Sequence, residues 1–426
     1  MSKNRSWSFF LVVPLILAAC GPAGAGKLAR SNRPHDLYPQ VAEADLSALA
    51  HGEQALAVDL LHQVSGEPGN LFFSPYSISI ALAMTYAGAR GDTETQMAQS
   101  LHYTLPQAWL HPAFNSLALE LDRRAGAEGI PAEEAFTLHA ANAIWGQDGF
   151  PFLPEYLDLL AENYGAGMHL LDFERDPEAA RRIINDWVSQ ETGKRIRDIV
   201  PPGVLSPLTR LVLSNAIYFK ADWASKFESN DTGDGEFTLL DGSQVAVRMM
   251  FQESRFRYAA GGGLQALELP YAGGQLSMLI LLPDEGRFDE LQASLDAEEL
   301  EVLIAGLESQ NVELWLPKFT YEYSLSLKDC LMAMGMADAF DPDRADFSGM
   351  TGARDLYIGD VLHKAFVAVD EAGTEAAAAT VVIMAPTSLQ PAAAIEFRVD
   401  RPFLFLIRDN PTGAILFLGR VTNPAK

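Results

Sequence analysis

The reactive residues of this chain are not spaced for the usual kinds of enzymatic chemistry. Its eight histidines are dispersed, and none forms an HExxH pair or another paired-histidine spacing that would turn two rings toward one metal. There is no GxSxG elbow and no Walker loop. GPAGAG (Gly21–Gly26) looks like a glycine fingerprint. Such a loop cradles a pyrophosphate only where it links a strand to a helix, and this one follows an apolar N-terminal run. No catalytic set, cofactor or metal is expected. The informative residues are Glu371–Thr380, EAGTEAAAAT, which run on as VVIMAPTS to Ser388. Four consecutive alanines favour a helix or a bland linker. The β-branched run Thr380, Val381, Val382 and Ile383 favours a strand. The segment therefore reads as a loop convertible to a strand, and its chemistry is conformational. Split by strand parity, one face carries Thr374, Ala376, Ala378, Thr380, Val382 and Met384, and the other carries Glu375, Ala377, Ala379, Val381 and Ile383. The one charge falls on a single face, so the other can lie against a core.

Elements to position such a segment are legible elsewhere. Leu56, Leu60 and Val64 fall on one face at helical spacing, with Ala57 and Leu61 beside them. Ser74-Pro75 reads as a cap followed by proline at the first helical position. Pro177 opens a second such helix, holding Ile183, Ile184, Trp187 and Val188. Leu211–Lys220 is apolar on both faces and predicts a central strand. Leu276–Leu282, Val312–Leu316, Phe403–Ile407 and Ile415–Leu418 predict further strands. Helices dominate the first half and strands the second, which is an α+β pattern. No linker, charge block or repeat divides the 426 residues, so one large domain is expected.

Residues 1–19 differ. Lys3 and Arg5 precede the apolar run Trp7–Ala19, in the manner of a secretory signal, and LAAC ends at Cys20. An ordinary signal peptide or a short membrane anchor is the alternative reading of this run. Residues 20–39, rich in Gly, Ala and Pro, predict a flexible tether, and 40–426 the folded domain. Cys330 is then the one remaining thiol, so no internal disulfide can form. It lies in a helical pattern and reads as a buried small apolar residue. Loss of Lys3 and Arg5 with the signal takes the formal charge from −25 to −27, which disfavours nucleic acid and anionic polysaccharide as partners. The short basic clusters Arg123–Arg124, Arg181–Arg182 and Lys194–Arg197 read as solvated helix ends. His363 sits in the apolar run LHKAFVAV and reads as a satisfied core histidine.

Seven stretches, in order, closely resemble the serpins. They are NLFFSPYSIS (Asn70–Ser79), NAIYFKADW (Asn215–Trp223), LELPYAGGQLSMLILLPD (Leu267–Asp284), LPKFTYEYSLSLKDCL (Leu316–Leu331), ADFSGM (Ala345–Met350), LYIGDVLHKAFVAVDEAGTEAAAAT (Leu356–Thr380) and DRPFLFLIRDNPTGAILFLGRVTNP (Asp400–Pro424). The resemblance implies three β-sheets, eight or nine helices and an exposed reactive loop. It implies a suicide inhibitor of serine peptidases, with cysteine peptidases as a second class, and not an enzyme. In this family a peptidase cleaves the loop, which inserts into the large sheet before the acyl-enzyme is hydrolysed. Glu371, Gly373, Thr374, Glu375, Ala376, Ala377, Ala378, Ala379 and Thr380 would form the hinge. The family's spacing places the scissile bond at Thr387-Ser388, with Met384-Ala385 as second choice. No Lys or Arg occurs between Lys364 and Arg398, so a trypsin-like pocket has nothing to bind, and elastase-like or subtilisin-like targets are expected. Ser74, Ser77, Asn215 and His363 match the family's shutter, a polar network beneath the parting strands. Trp223, Lys318 and Glu371 match its breach, where the loop first enters. LAAC resembles a bacterial lipoprotein box, which would acylate Cys20 and hold a monomer on the cell envelope at the outer membrane. Heparin activation is not expected. The alternative is a non-inhibitory serpin that binds partners on the envelope.

Overall fold

The structure, a computed structural model, describes residues 26–126, 136–374 and 394–426. Its first half runs β1 (Lys27–Ala29), α1 (Glu43–Gln63), β2 (Leu71–Phe73), α2 (Pro75–Tyr86), α3 (Gly91–Ser100), α4 (Gln107–Gly126), β3 (Thr137–Gln147) and α5 (Pro154–Tyr164). Next come β4 (Met168–Leu171), α6 (Pro177–Glu191), β5 (Leu211–Asp222), β6 (Gly233–Thr238), β7 (Gln244–Gly261), β8 (Leu264–Pro270) and β9 (Leu276–Pro283). Then follow α7 (Phe288–Ser294), α8 (Ala297–Ala305), β10 (Glu308–Pro317), β11 (Phe319–Ser326), α9 (Lys328–Ala333) and α10 (Ser348–Thr351). The chain ends with β12 (Ile358–Val369), β13 (Gly373–Thr374), β14 (Ile395–Arg398), β15 (Phe403–Asp409) and β16 (Ile415–Val421). Among the described residues, none of these helices is long and apolar enough to cross a membrane.

Local chemistry sets the helix ends. Ser74 Oγ accepts from the Ser77 N–H at 3.1 Å and Pro75 opens α2, as the sequence predicts. Asp176 does the same for α6, accepting from the Ala179 N–H at 2.8 Å ahead of Pro177. Gly165 ends α5 in the left-handed region, at φ 60°, which a side chain would disfavour. All twelve residues of α2 are buried, so it is a core helix with no solvent face.

The strands form two hydrogen-bonded sheets. The seven-stranded sheet has the order β1-β4-β3-β5-β13-β12-β11. The nine-stranded sheet is two ribbons sharing the 18-residue β7, which pairs with β6 and β10 over one stretch and with β8 at its end. One ribbon is β14-β10-β7-β6 and the other β8-β9-β15-β16-β2, which with the first sheet gives the three-sheet architecture. β5 is the buried centre of the first sheet, as its two apolar faces predict. The main core fills the space between this sheet, the β8–β2 ribbon and the helices of the first half. A smaller apolar cluster on the sheet's other side packs Ile184 and Val188 of α6 against Trp145, Val212 and Leu362 of β3, β5 and β12.

The N-terminal segment departs from the sequence expectation of a tether over 20–39. Lys27–Ala29 pair antiparallel with β4 as an edge strand. His35 Nε2 lies 2.8 Å from Asn115 Oδ1, and the Asp36 N–H donates to the Glu162 carbonyl at 2.9 Å. Backbone donors and acceptors left open on an edge strand accept any short extended segment, which accounts for residues 27–29, and side-chain contacts of Ser31, Arg33 and His35 hold the stretch that follows. The basic clusters also depart in part. Arg124 is paired at 2.6 Å with the fully buried Asp409 and is not a solvated helix end. Arg181 and Arg182 both meet Glu178.

Candidate functional site

The chain reverses between β12 and β13 in a tight turn. Asp370 Oδ1 accepts from the N–H groups of Ala372 (2.9 Å) and Gly373 (3.3 Å), and the Asp370 N–H donates to the Gly373 carbonyl (3.0 Å). β13 then runs antiparallel to both neighbours, with Thr374 opposite Val369 of β12 and opposite Ala221 of β5. Farther along, β5 and β12 pair directly with each other in parallel, from Leu211 and Ile358 to Tyr218 and Phe366. β13 is therefore a two-residue wedge at the top of a seam that is closed beneath it. Gly373 is required there by close approach. A Cβ on it would lie 2.1 Å from the Ala221 carbonyl oxygen.

The wedge is seated by named contacts. Thr374 is 1% exposed, and its hydroxyl lies 2.8 Å from the Tyr271 hydroxyl. The Tyr271 ring stacks on Trp223 at 4.6 Å between centroids. Trp223 donates its indole N–H to the Asp370 carbonyl (2.9 Å) and its backbone N–H to Ala372 (2.9 Å). The Phe227 N–H donates to the Glu371 carbonyl at 2.9 Å. The Glu371 carboxylate takes Lys318 Nζ at 2.5 Å on one oxygen and the Thr232 hydroxyl at 2.9 Å on the other. Partial burial raises the Glu371 pKa, and the bonds from Lys318, the backbone and Thr232 outweigh it and leave the pKa below the usual carboxylate value. Trp223, Lys318 and Glu371, grouped from the sequence, thus surround the point where β13 enters. Tyr271 and Thr232 complete the group. Tyr271 lies inside the LELPYAGG stretch, but nothing in the sequence pairs it with Thr374.

Below the wedge lies a second polar group, beneath the closed part of the seam. Asn215 on β5 and His363 on β12 are register partners. Asn215 Oδ1 contacts His363 Nδ1, and the Ser74 backbone N–H donates to His363 Nε2 at 3.2 Å. Nε2 is thus an acceptor, which makes the ring neutral with its proton on Nδ1. Asn215 Nδ2 donates to Ser77 Oγ at 2.6 Å and to Asn142 Oδ1, and Ser77 Oγ donates to Asn142 at 2.9 Å. The four residues grouped from the sequence, Ser74, Ser77, Asn215 and His363, form one network. It ties β5 and β12 to the start of α2. Asn142 of β3, opposite Asn215 in register, is a fifth member that sequence reading missed. Burial holds the His363 pKa down at about 3.

Of the hinge residues, Glu371, Gly373 and Thr374 lie within this site. Glu375, Ala376, Ala377, Ala378, Ala379 and Thr380, the reactive bond at Thr387-Ser388 or Met384-Ala385, and the lipidation residue Cys20 all lie outside the described residues. Cys330 is half-buried, and burial followed by the nearby Asp329 raises its thiol pKa.

Residues 51–424 match the family profile described as Serpin (serine protease inhibitor). The chain is 41% identical to an uncharacterised serpin-like protein of Thermococcus kodakarensis, over 92% of each. It is 39% identical to the human leukocyte elastase inhibitor, over 89% of this chain and all of the relative. Among solved structures, the native state of the thermophilic serpin tengpin superposes with a TM-score of 0.80 at 29% identity, covering 93% of this chain and 97% of that one. A whole-length match in sequence and in fold leaves one assignment: this protein belongs to the serpins, a family of protease inhibitors and not of catalysts.

Proposed function

We propose that this serpin is a suicide inhibitor of serine peptidases, with cysteine peptidases as a second class, and that its cleaved loop inserts between β5 and β12. One observation supports this above the others: β13 already occupies the top of that seam, in a register the rest of the loop can continue. Extending the antiparallel ladder from Thr374 opposite Ala221 sets residue 384 opposite Leu211, where β5 begins. Ten further residues, 375–384, are thus added before the strand runs out. At roughly 3.3 Å per residue they span about 33 Å. At about 1 kcal/mol of net stabilisation per hydrogen bond, one per residue, the gain is on the order of 10 kcal/mol, comparable to a domain's whole stability.

In this scheme the peptidase nucleophile attacks the carbonyl carbon of Thr387. An ester forms to the enzyme, the peptide bond to Ser388 breaks, and the proton from the nucleophile leaves on the new amine. Insertion carries the esterified enzyme along before water completes the cycle. Met384-Ala385 fits the register less well, because residue 384 is itself consumed by the ladder. An elastase-like or subtilisin-like target is supported by the absence of Lys and Arg between Lys364 and Arg398, and by relatives named as leukocyte elastase inhibitors. The LAAC box supports a lipid anchor through Cys20 at the cell envelope.

The decisive test is a denaturing gel after mixing with an elastase-like peptidase. The wild type gives an SDS-resistant complex. Thr374→Arg gives cleaved inhibitor and free peptidase, since a guanidinium cannot enter the buried site beside Tyr271 before the ester hydrolyses. Failure of the wild type to form a complex with any member of a broad serine and cysteine peptidase panel would favour the non-inhibitory envelope binder. Cys20→Ser abolishes incorporation of labelled palmitate; a mature chain beginning elsewhere rejects the anchor.

A further inference from the structure

On the β8–β2 ribbon, away from the β5–β12 seam, adjacent strands bring together a set of cationic side chains. Arg257 of β7 faces Glu268 of β8, and Arg408 of β15 faces Ser277 of β9. Arg257 Nη1 donates to Glu268 Oε2 at 2.6 Å and its Nη2 to the Ile304 carbonyl at 3.0 Å, Arg408 Nη1 donates to Glu268 Oε1 at 3.2 Å, and Ser277 Oγ donates to the same oxygen at 2.8 Å. Glu268 is buried and its lone pairs are largely spent. Arg255, two residues from Arg257 and on the same face, has Ser309 as its partner, through Oγ (3.3 Å) and the carbonyl (3.4 Å). Three guanidiniums and one carboxylate therefore line a single cavity of about 370 Å³. Such an excess of cations is unexpected in a chain of formal charge −25.

Arg408 makes the imbalance acute. It is only 8% exposed, it lines the cavity, and its Nε–H has no hydrogen-bond partner among the described residues. An unpaired buried donor on a charged group costs more than the same donor left in water. Burial pushes the Arg408 pKa down, and Glu268 only partly offsets this. The remaining walls are Phe256, Pro270 and the end of α8 at Ile304, with the Asn410 side chain on the rim. The volume falls in the range of small-molecule sites. The donors are forked and planar, the form that matches a tetrahedral oxyanion bidentately.

We propose that this cavity binds a phosphate group, free or on a small organic monoester, between Arg255, Arg257 and Arg408. The anion offsets the excess positive charge of the three guanidiniums without displacing Glu268 from Arg257 and Arg408. The proposal is independent of the inhibitory reading, because the cavity shares no residue with the wedge or the network below it.

Calorimetric titration of the full mature chain tests it, first with inorganic phosphate and then with glycerol 3-phosphate, at constant ionic strength against chloride. One saturable site is expected. Arg255→Gln, at an exposed position, leaves the phosphate-free melting temperature near wild type and weakens binding by roughly tenfold or more. Arg408→Gln abolishes binding. If that variant fails to fold, Arg255→Gln alone decides. Tighter binding of glycerol 3-phosphate identifies an organic monoester as the ligand; equal binding identifies free phosphate. No saturation with either probe, or binding unchanged in Arg255→Gln, overturns the proposal.

Discussion

The most constrained residue of the seam is His363. Its Nε2 accepts from the Ser74 N–H, so the ring works only when neutral. Burial lowers its pKa from the ordinary 6.5 to about 3. Between those values the unfolded chain binds a proton that the native state refuses, so stability falls as pH drops from 6.5 toward 3. Glu53 works in the opposite sense. Both of its carboxylate oxygens are buried without a partner among the described residues, and burial raises its pKa to about 8. Its contribution is full below 4.5 and is lost as pH rises toward 8. Replacing His363 with Gln removes one titration and weakens the network. The variant melts lower than wild type at pH 7, and its melting temperature declines less steeply between pH 6.5 and 4, as read by circular dichroism. An unchanged slope would remove His363 from the pH response. Glu53→Gln has the complementary signature: a gain over wild type at pH 8 that shrinks toward pH 5.

At the scale of elements, the parity of the loop decides which substitutions matter. Thr374 points inward, so in the proposed inserted strand 376, 378, 380, 382 and 384 would follow it onto the core face, and 375, 377 and 379 would face out. Ala376→Glu and Ala377→Glu are chemically identical changes one residue apart. The first drags a carboxylate under the sheet. The second leaves it on the outer face, where Glu375 already goes. Ala376→Glu therefore raises the number of inhibitor molecules consumed per peptidase several-fold, and Ala377→Glu changes it little; equal effects would break the register assignment. This parity is legible in the sequence, because alternation is a local property. The strands and capped helices are legible too: Ser74-Pro75, Pro177 and the two-faced Leu211–Lys220 each carry their own signal. What sequence could not supply was pairing across distance. Asn142 is a polar residue flanked by alanines in β3 with no visible role until the register puts it opposite Asn215. Tyr271 has no visible tie to Thr374, 103 residues away, until the wedge is seen. Composition also misread residues 26–39: an edge strand recruits the backbone of 27–29 whatever its side chains, and the side-chain partners of Ser31, Arg33 and His35 lie 80 or more residues away in the sequence.

For the whole molecule, the decisive quantity is the free-energy difference between the uncut fold and the fold after the loop is cut. In the uncut chain the seam is bridged at its top by two residues and closed below by direct β5–β12 pairing. The proposed insertion would break that one parallel ladder and build two antiparallel ones, one on each side of the new strand. Only a chain break frees the far end of the loop to travel the length of β5, because β14 pins residues 395–398 beside β10. In the proposed mechanism cleavage is the release, and the hydrogen bonds gained would be the driving force. With about 10 kcal/mol gained in a domain of this size, the melting temperature rises on the order of 10 °C or more on cutting within 384–388. Limited proteolysis followed by calorimetry reads this directly, and Thr374→Arg supplies the control. A cut chain that melts where the intact one does has not inserted its loop, and the seam would then be a static feature of the fold.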